Sequence, residues 1–436
     1  MRIDRIRIKN FKGFESEEFS LNKKFTVFIG DNAKGKTSIL DALAIAVGSF
    51  LRGIDVARLE ARSVLKNEIR IKTIESQPRP QLPVEIEAIG DVNGIRKSWK
   101  RTVEKITNKT STTYVHAKNI ESIAKNMLSE SRSQGGVTFP VIAYHGTGRL
   151  WAEHEEKKTE YKKQGEGVAM AYAHCLSPKS SSKEFLSWFK TYEDEIRKFD
   201  DEKDKTLLEA FKRCIISMIP ENHWEDMAFS FKDEDLIGIF TTDEGRKEKL
   251  LFSQLSDGYR NVIGMVADIA YRCIKLNPHL GLRAIEDTPG IVLIDEIDLH
   301  LHPNWQRRIV KDLKNTFKNI QFIATTHSPF IVQSLTNEEL INLDQVKGLD
   351  YDPIKYSVEE IAESEMGVKD VKRSQEFLEM QEKAKVYFNL IKEGASEDEL
   401  TSAKQLLDDL RVKYNTDPAY VALLLSEYPK TERGSR

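Results

Sequence analysis

Eight residues near the start of the chain, Gly30-Asp31-Asn32-Ala33-Lys34-Gly35-Lys36-Thr37, have the types and spacing to hold a chain of phosphates. Glycines let the backbone curl until successive N–H groups face one point, and a helix starting at the end of the run adds its positive dipole end. Lys36 then reaches the outer phosphates and Thr37 offers a hydroxyl to Mg2+, with Asn32, Gly35 and Ser38 completing the expected nucleotide contacts. An ordinary Gly-Lys turn shares these letters. The context separates the two, because the apolar run Phe25–Ile29 precedes the loop and an amphipathic stretch follows it.

A second constellation lies some 260 residues on, where Ile291-Val292-Leu293-Ile294 ends in the adjacent carboxylates Asp295 and Glu296. Acid at the end of a buried strand needs a cation or hydrogen-bond donors beside it. Asp295 is expected to hold Mg2+, directly or through water, and Glu296 to polarise an attacking water. Ser256-Asp257-Gly258-Tyr259-Arg260 opens another helix and makes a second anion site, which one phosphate tail does not need. Ser256 and Gly258 are therefore expected to cap the γ-phosphate held by a second copy of the chain, whereas read alone Ser256 is an N-cap. Thr325-Thr326-His327-Ser328-Pro329 follows a core strand and sets an imidazole at the sheet edge where ligands collect, so His327 is expected to sense that phosphate.

Two other clusters invite a site reading. Asp298, His300 and His302 are closely spaced, yet no third or fourth metal ligand is evident. Asp350 and Asp352 resemble paired nuclease acids but lack a buried strand before them.

The positioning elements follow from periodicity. Apolar residues at every second position from Ile3 to Ile8 predict a strand, Phe19–Leu21 and Phe25–Ile29 continue a sheet, and Thr37–Phe50 switches to helical spacing. Residues 84–89 and 95–103 read as strands around Asn93-Gly94, a left-handed hairpin turn. Between Ile142 and Phe252 the spacing predicts a mostly helical insertion, with helices over 184–199 and 207–219. Helix Asn261–Leu276, strand Ile291–Ile294, helix Asn304–Phe317 and strand Gln321–Thr325 restore an α/β rhythm, which favours a sheet covered on both faces. Beyond about Val371 the chain reads as charged amphipathic helices, 373–392 and 397–414, with one apolar face uncovered. The expected division is 1–150 for an N-terminal lobe, 151–250 for the insertion, 251–350 for a C-terminal lobe and 351–436 for a partner-binding extension.

Composition narrows the function classes. With 436 residues, 40% hydrophobic and 31% charged, the chain can bury a large core. A net charge of -3 argues against a globally basic nucleic-acid coat, although 66 Lys and Arg leave room for a local groove. Three widely spaced cysteines, Cys175, Cys214 and Cys273, give no disulfide framework and suit a reducing cytoplasm. No run of about eighteen apolar residues occurs, so neither export nor membrane spanning is expected.

The order of these motifs resembles the RecF/Rad50/OLD branch of ABC/SMC-like ATPases. The resemblance implies an α/β ABC-type ATPase head with a mixed sheet, a helical insertion and a helical C-terminal extension. In that family's terms Gly30–Thr37 is the Walker A loop, Ser256–Arg260 the signature, Asp295 and Glu296 the Walker B pair, Asp298 the D-loop and His327 the switch histidine. Ala33 replaces a common glycine, Asp257 and Tyr259 depart from LSGGQ, and Tyr144-His145-Gly146-Thr147-Gly148-Arg149-Leu150-Trp151 stands where a Q-loop glutamine belongs. That block and the layout are similar to the PtuA family, the ATPases of Septu anti-phage systems and some retrons. The narrower likeness implies ATP and Mg2+ as cofactors, a homodimer or oligomer of dimers, a separate HNH nuclease bound through the C-terminal helices, and DNA nearby. A RecF-like DNA-repair clamp without a nuclease is the alternative, and a transporter motor a more distant one.

Overall fold

The computed structural model describes residues 1–54, 61–106, 112–150, 168–178, 183–219, 224–242, 244–344, 352–369, 371, 375–396, 398–403 and 405. Strand β1 (Arg2–Phe11) turns Ile3, Ile6, Ile8 and Phe11 inward, all fully buried, and pairs antiparallel with β2 (Phe14–Ser20). Strand β3 (Phe25–Ile29) is buried at every residue and leads through the glycine loop into α1 (Lys36–Leu51). A small exposed ribbon follows, β4 (Ile71–Ile74) with β5 (Gln77–Pro80). Then comes the hairpin β6 (Val84–Val92) and β7 (Ile95–Val103), whose turn residues Asn93 and Gly94 both take positive φ, as the sequence requires. The four-stranded antiparallel sheet β2-β1-β6-β7 is tied to α1 by Trp99 Nε1 donating to Ala46 O at 3.0 Å and Arg101 Nη1 to Ile45 O at 3.0 Å.

The chain continues through α2 (Lys118–Ser133) into β8 (Val141–His145), then α3 (Lys183–Phe199) and α4 (Glu202–Ser217). Where the sequence suggests a mostly helical stretch up to residue 252, residues 224–251 instead form an antiparallel sheet: β9 (Trp224–Ser230), β10 (Asp235–Thr241) and β11 (Lys247–Leu251). Alternating burial of Met227 and Phe229 shows the period of two that decides it. Helix α5 (Asp257–Leu276) and the short α6 (Ala284–Asp287) precede β12 (Gly290–Ile294), α7 (Pro303–Thr316), β13 (Ile320–Thr325), α8 (Pro329–Val332), β14 (Leu340–Asn342) and α9 (Val358–Ser364).

The second main sheet has strand order β14-β3-β13-β12-β8 and is parallel throughout. Strands β3, β12, β13 and β8 are buried along their whole length, as a sheet covered on both faces demands. Because all run the same way, the segments after Ile29, His145, Ile294 and Thr325 emerge along one edge. The result is mixed α/β, with parallel and antiparallel sheets and many helices. Residues 1–366 form one compact unit and 367–436 a second. In the second, α10 (Gln375–Glu393) matches the first expected tail helix, while most of the other, 397–414, lies outside the described residues. Among the described residues no helix is long and apolar enough to cross a membrane.

Candidate nucleotide site

The loop after β3 is shaped by left-handed backbone. Gly30 and Gly35 have φ of +143° and +95°, and a Cβ on Gly35 would lie 2.6 Å from the Phe14 ring, so only glycine fits. Ala33 takes φ +68°, the conformation a glycine would adopt more easily, at a cost of about 1–2 kcal/mol. The loop shape thus survives the substitution that sets this chain apart from the family pattern. Lys36 is 8% exposed, and its ammonium donates to the carbonyls of Gly30 (2.5 Å) and Asp31 (3.0 Å), curling back over the loop. Burial lowers its pKa, and Asp344, Asp295, Asp31 and Glu296 pull the other way.

Thr37 Oγ1 donates to Asp295 Oδ2 at 2.9 Å, joining motifs 258 positions apart. Thr325 Oγ1 donates to Asp295 Oδ1 at 2.7 Å and accepts from the Glu296 N–H at 2.8 Å. The Asp295 N–H donates to His145 O at 2.8 Å. Glu296 is half-buried with φ +49°, an uncommon conformation for a side-chain-bearing residue and frequent at functional positions. Among the described residues no cluster of three or more His, Cys, Asp or Glu could hold a metal. A carboxylate and a hydroxyl in contact are hard oxygen donors of the kind Mg2+ uses when phosphates fill its remaining positions. These donors suit a triphosphate with Mg2+, which Thr37 and Asp295 would hold, while the loop carrying Asn32, Gly35, Lys36 and Ser38 would take the phosphates.

Ser256 occupies the N-cap position of α5, yet its side chain makes no capping hydrogen bond and the residue is exposed. The sequence-level alternative of a simple cap is thus not what the hydroxyl does. A Cβ on Gly258 would sit 2.6 Å from His300 O, so the start of α5 and the 298–302 loop approach as closely as backbone allows. Tyr259 sets its ring edge-on to Trp305 (centroids 4.7 Å apart) and near-parallel to Trp224, giving its departure from LSGGQ a packing role. Asp298 accepts from Thr326 Oγ1 at 2.5 Å. His302 Nδ1 caps α7 by accepting from Asn304 N–H at 3.3 Å, a use other than metal ligation. His327 is exposed, two residues past Thr325 on the same edge. Asp352 accepts from the Asn337 N–H at 2.9 Å, while Asp350 lies outside the described residues.

Three residues with no assigned role in the sequence reading belong to this edge. Thr325 binds both Asp295 and Glu296. Asp344 accepts from the Asp31 N–H at 2.7 Å and pairs with Lys34 at 3.1 Å, pressing a carboxylate against the phosphate loop. Arg149, from the irregular block after β8, is buried beneath Asp295 and Glu296. Thr325 carried a local signal in its run of hydroxyls before His327, and Arg149 in the irregular block 144–151, whereas Asp344 carried none.

An AAA-domain family model matches residues 5–235, and a second AAA-domain model matches 175–333. The retron Vc95 probable ATPase of Vibrio cholerae serotype O1 biovar El Tor is 29% identical over 401 residues, 80% of this chain and 74% of that protein. The Septu protein PtuA of Bacillus mycoides (strain KBAB4) is 27% identical over 344 residues, 78% of this chain but 40% of that protein. Among solved structures, the SMC head domain from Thermotoga maritima aligns over 81% of this chain and 97% of that one, with TM-score 0.42 and 15% identity.

Proposed function

The chain belongs to the AAA-domain family, and from that premise we propose that it binds and hydrolyses ATP as a subunit of an anti-phage defence assembly. In this reading two copies close on the nucleotide and govern a separate HNH nuclease through residues 351–436. The observation that carries the ATPase reading is the Thr37–Asp295 contact at the mouth of the glycine loop, with Glu296 held beside it. The retron and Septu names of the relatives support the defence setting.

Each residue has a physical task in this mechanism. The loop N–H groups and Lys36 bind the phosphates, and Lys36 exchanges its two carbonyl acceptors for phosphate oxygens. Mg2+ would supply positive charge to the oxygens on which negative charge builds. Asp295 and Thr37 would hold that ion, and Thr325 keeps the Asp295 carboxylate oriented. Glu296 accepts a hydrogen bond from the attacking water, and its backbone is held by the Thr325 hydroxyl. Ser256 and the Gly258 backbone close on the γ-phosphate of the other copy, and His327 reads its presence.

Steady-state turnover and nucleotide affinity measured on two variants test the reading. Lys36→Ala weakens ATP binding by about tenfold or more. Glu296→Gln leaves binding intact and lowers kcat by roughly 100- to 1000-fold, trapping an ATP-bound dimer. Unchanged turnover in Glu296→Gln refutes its role. For the partner, deletion of residues 371–436 is expected to abolish nuclease co-purification and spare ATP binding. DNA-stimulated hydrolysis with no nuclease bound, its affinity falling steeply with salt, would favour a repair clamp instead.

A further inference from the structure

The block after β8 contributes one side chain to the catalytic edge in an unusual way. Arg149 is 7% exposed, and its guanidinium bonds mainly to main chain. Nη1 donates to Gly146 O at 2.9 Å and Asp295 O at 2.8 Å, and Nη2 donates to Glu296 O at 3.0 Å. Nε donates to Asn261 Oδ1. Asn261, 3% exposed on the second turn of α5, donates in turn from Nδ2 to Leu299 O at 2.6 Å. One guanidinium therefore spans the Walker B turn, and through a single amide it joins that turn to the helix Ser256 begins and to the loop that packs on Gly258.

Glu296 is gripped from both sides by this arrangement. Its N–H goes to the Thr325 hydroxyl and its carbonyl to Arg149, so its left-handed backbone is set by two side chains from different strands' ends. Burying a guanidinium costs desolvation, which is offset here because its donors satisfy the carbonyls of Gly146, Asp295 and Glu296 and because the charges of Asp295, Glu296 and Asp298 attract it. A planar fork with donors at fixed angles is suited to fixing the relative position of several backbone segments, which an ammonium on a flexible stem is not.

We propose that Arg149 and Asn261 form a positioning brace through which α5 sets the main chain of Glu296, so that contact of Ser256 with nucleotide on a second copy is passed to the hydrolytic carboxylate. The inference rests on the ATPase reading above, and it makes Arg149 a positioning residue that touches no substrate.

The test measures kcat, KM and nucleotide affinity on the full chain for Arg149→Lys, Asn261→Leu and the double variant, with thermal unfolding as a folding check. A shift of about 1 Å in a reacting group costs on the order of 100-fold in rate, so each single variant is expected to lose roughly 30- to 100-fold in kcat. ATP affinity stays within about threefold of wild type, because the Lys36 loop is untouched. The double variant loses no more than the worse single one, since both cut the same link. Multiplicative losses, a KM rising in step with the kcat loss, or wild-type kcat in either single variant would overturn the brace. Should Arg149→Lys fail to fold, Asn261→Leu decides alone by its kcat. Glu296→Gln, run alongside, separates the two readings: if it still turns over, the assigned role of Glu296 fails and the brace with it, and if it is dead while the brace variants hydrolyse normally, only the brace fails.

Discussion

Asp344 places a negative charge against the glycine loop that is proposed to hold phosphate, and that placement has a measurable consequence. Its Oδ2 accepts the Asp31 N–H and its Oδ1 faces Lys34, so it both shapes the glycine loop and opposes the field of Lys36. Asp344→Asn keeps an acceptor for the Asp31 N–H and removes the charge. ATP binding measured by calorimetry should tighten by roughly two- to tenfold in that variant. Asp344→Ala, which removes the acceptor as well, should weaken it. Weaker binding in both variants would leave Asp344 a scaffold residue without electrostatic influence. No sequence signal pointed to it, because its partners lie more than 300 positions away and the letters around it, Asn-Leu-Asp-Gln, are unremarkable. Lys36, Thr37 and Asp295 were legible for the opposite reason: their chemistry is written in consecutive residues next to a strand whose pattern announces itself.

At the scale of elements, strands and helices with strong periodicity emerge within a few residues of expectation, among them Ile291–Ile294 against the observed Gly290–Ile294 and Asn304–Phe317 against Pro303–Thr316. The sheet of β9, β10 and β11 was not legible, since its strands are short, half-buried and interleaved with Lys, Glu and Asp that suit an exposed helix equally well. Packing of β8 against α5 carries a second test. His145 lies buried with its Nε2 3.7 Å from Asp268 Oδ2, and Asp268 also takes Arg272 Nε at 2.9 Å. Burial pushes the His145 pKa down to about 4, with Asp268 pulling upward and Arg149 and Arg272 downward. Since the unfolded chain protonates near pH 6.5, it binds more protons than the folded one between about pH 6.5 and 4. The stability due to a neutral His145 is present above that window and is lost as pH falls through it, by roughly 3 kcal/mol in full. Urea midpoints of nucleotide-free protein should therefore fall on acidification more steeply than those of His145→Phe. Parallel slopes would show that His145 titrates normally.

For the whole molecule, the question is whether catalysis belongs to one chain or two. Ser256 is exposed and makes no cap, leaving its hydroxyl for something other than its own helix. If it serves a second copy, a Ser256→Arg chain mixed with a Lys36→Ala chain forms hybrid pairs in which one of two sites is whole. Turnover should recover to at most about a quarter of wild type, with exchange verified by co-purifying differently tagged chains. Silent mixtures with proven exchange would place the complete site within a single chain.

Strand β3 has a history that its final position conceals. Its two neighbours in the sheet, β13 and β14, are both made near residue 320 and beyond. During synthesis the five apolar residues Phe25–Ile29 therefore leave the ribosome with both edges bare. They wait roughly 15 to 60 seconds, at 5–20 residues per second, for a partner to be translated. A nascent chain stalled before β13 presents that bare strand to its neighbours on the polysome, and Thr325, which orients Asp295, is still missing from it.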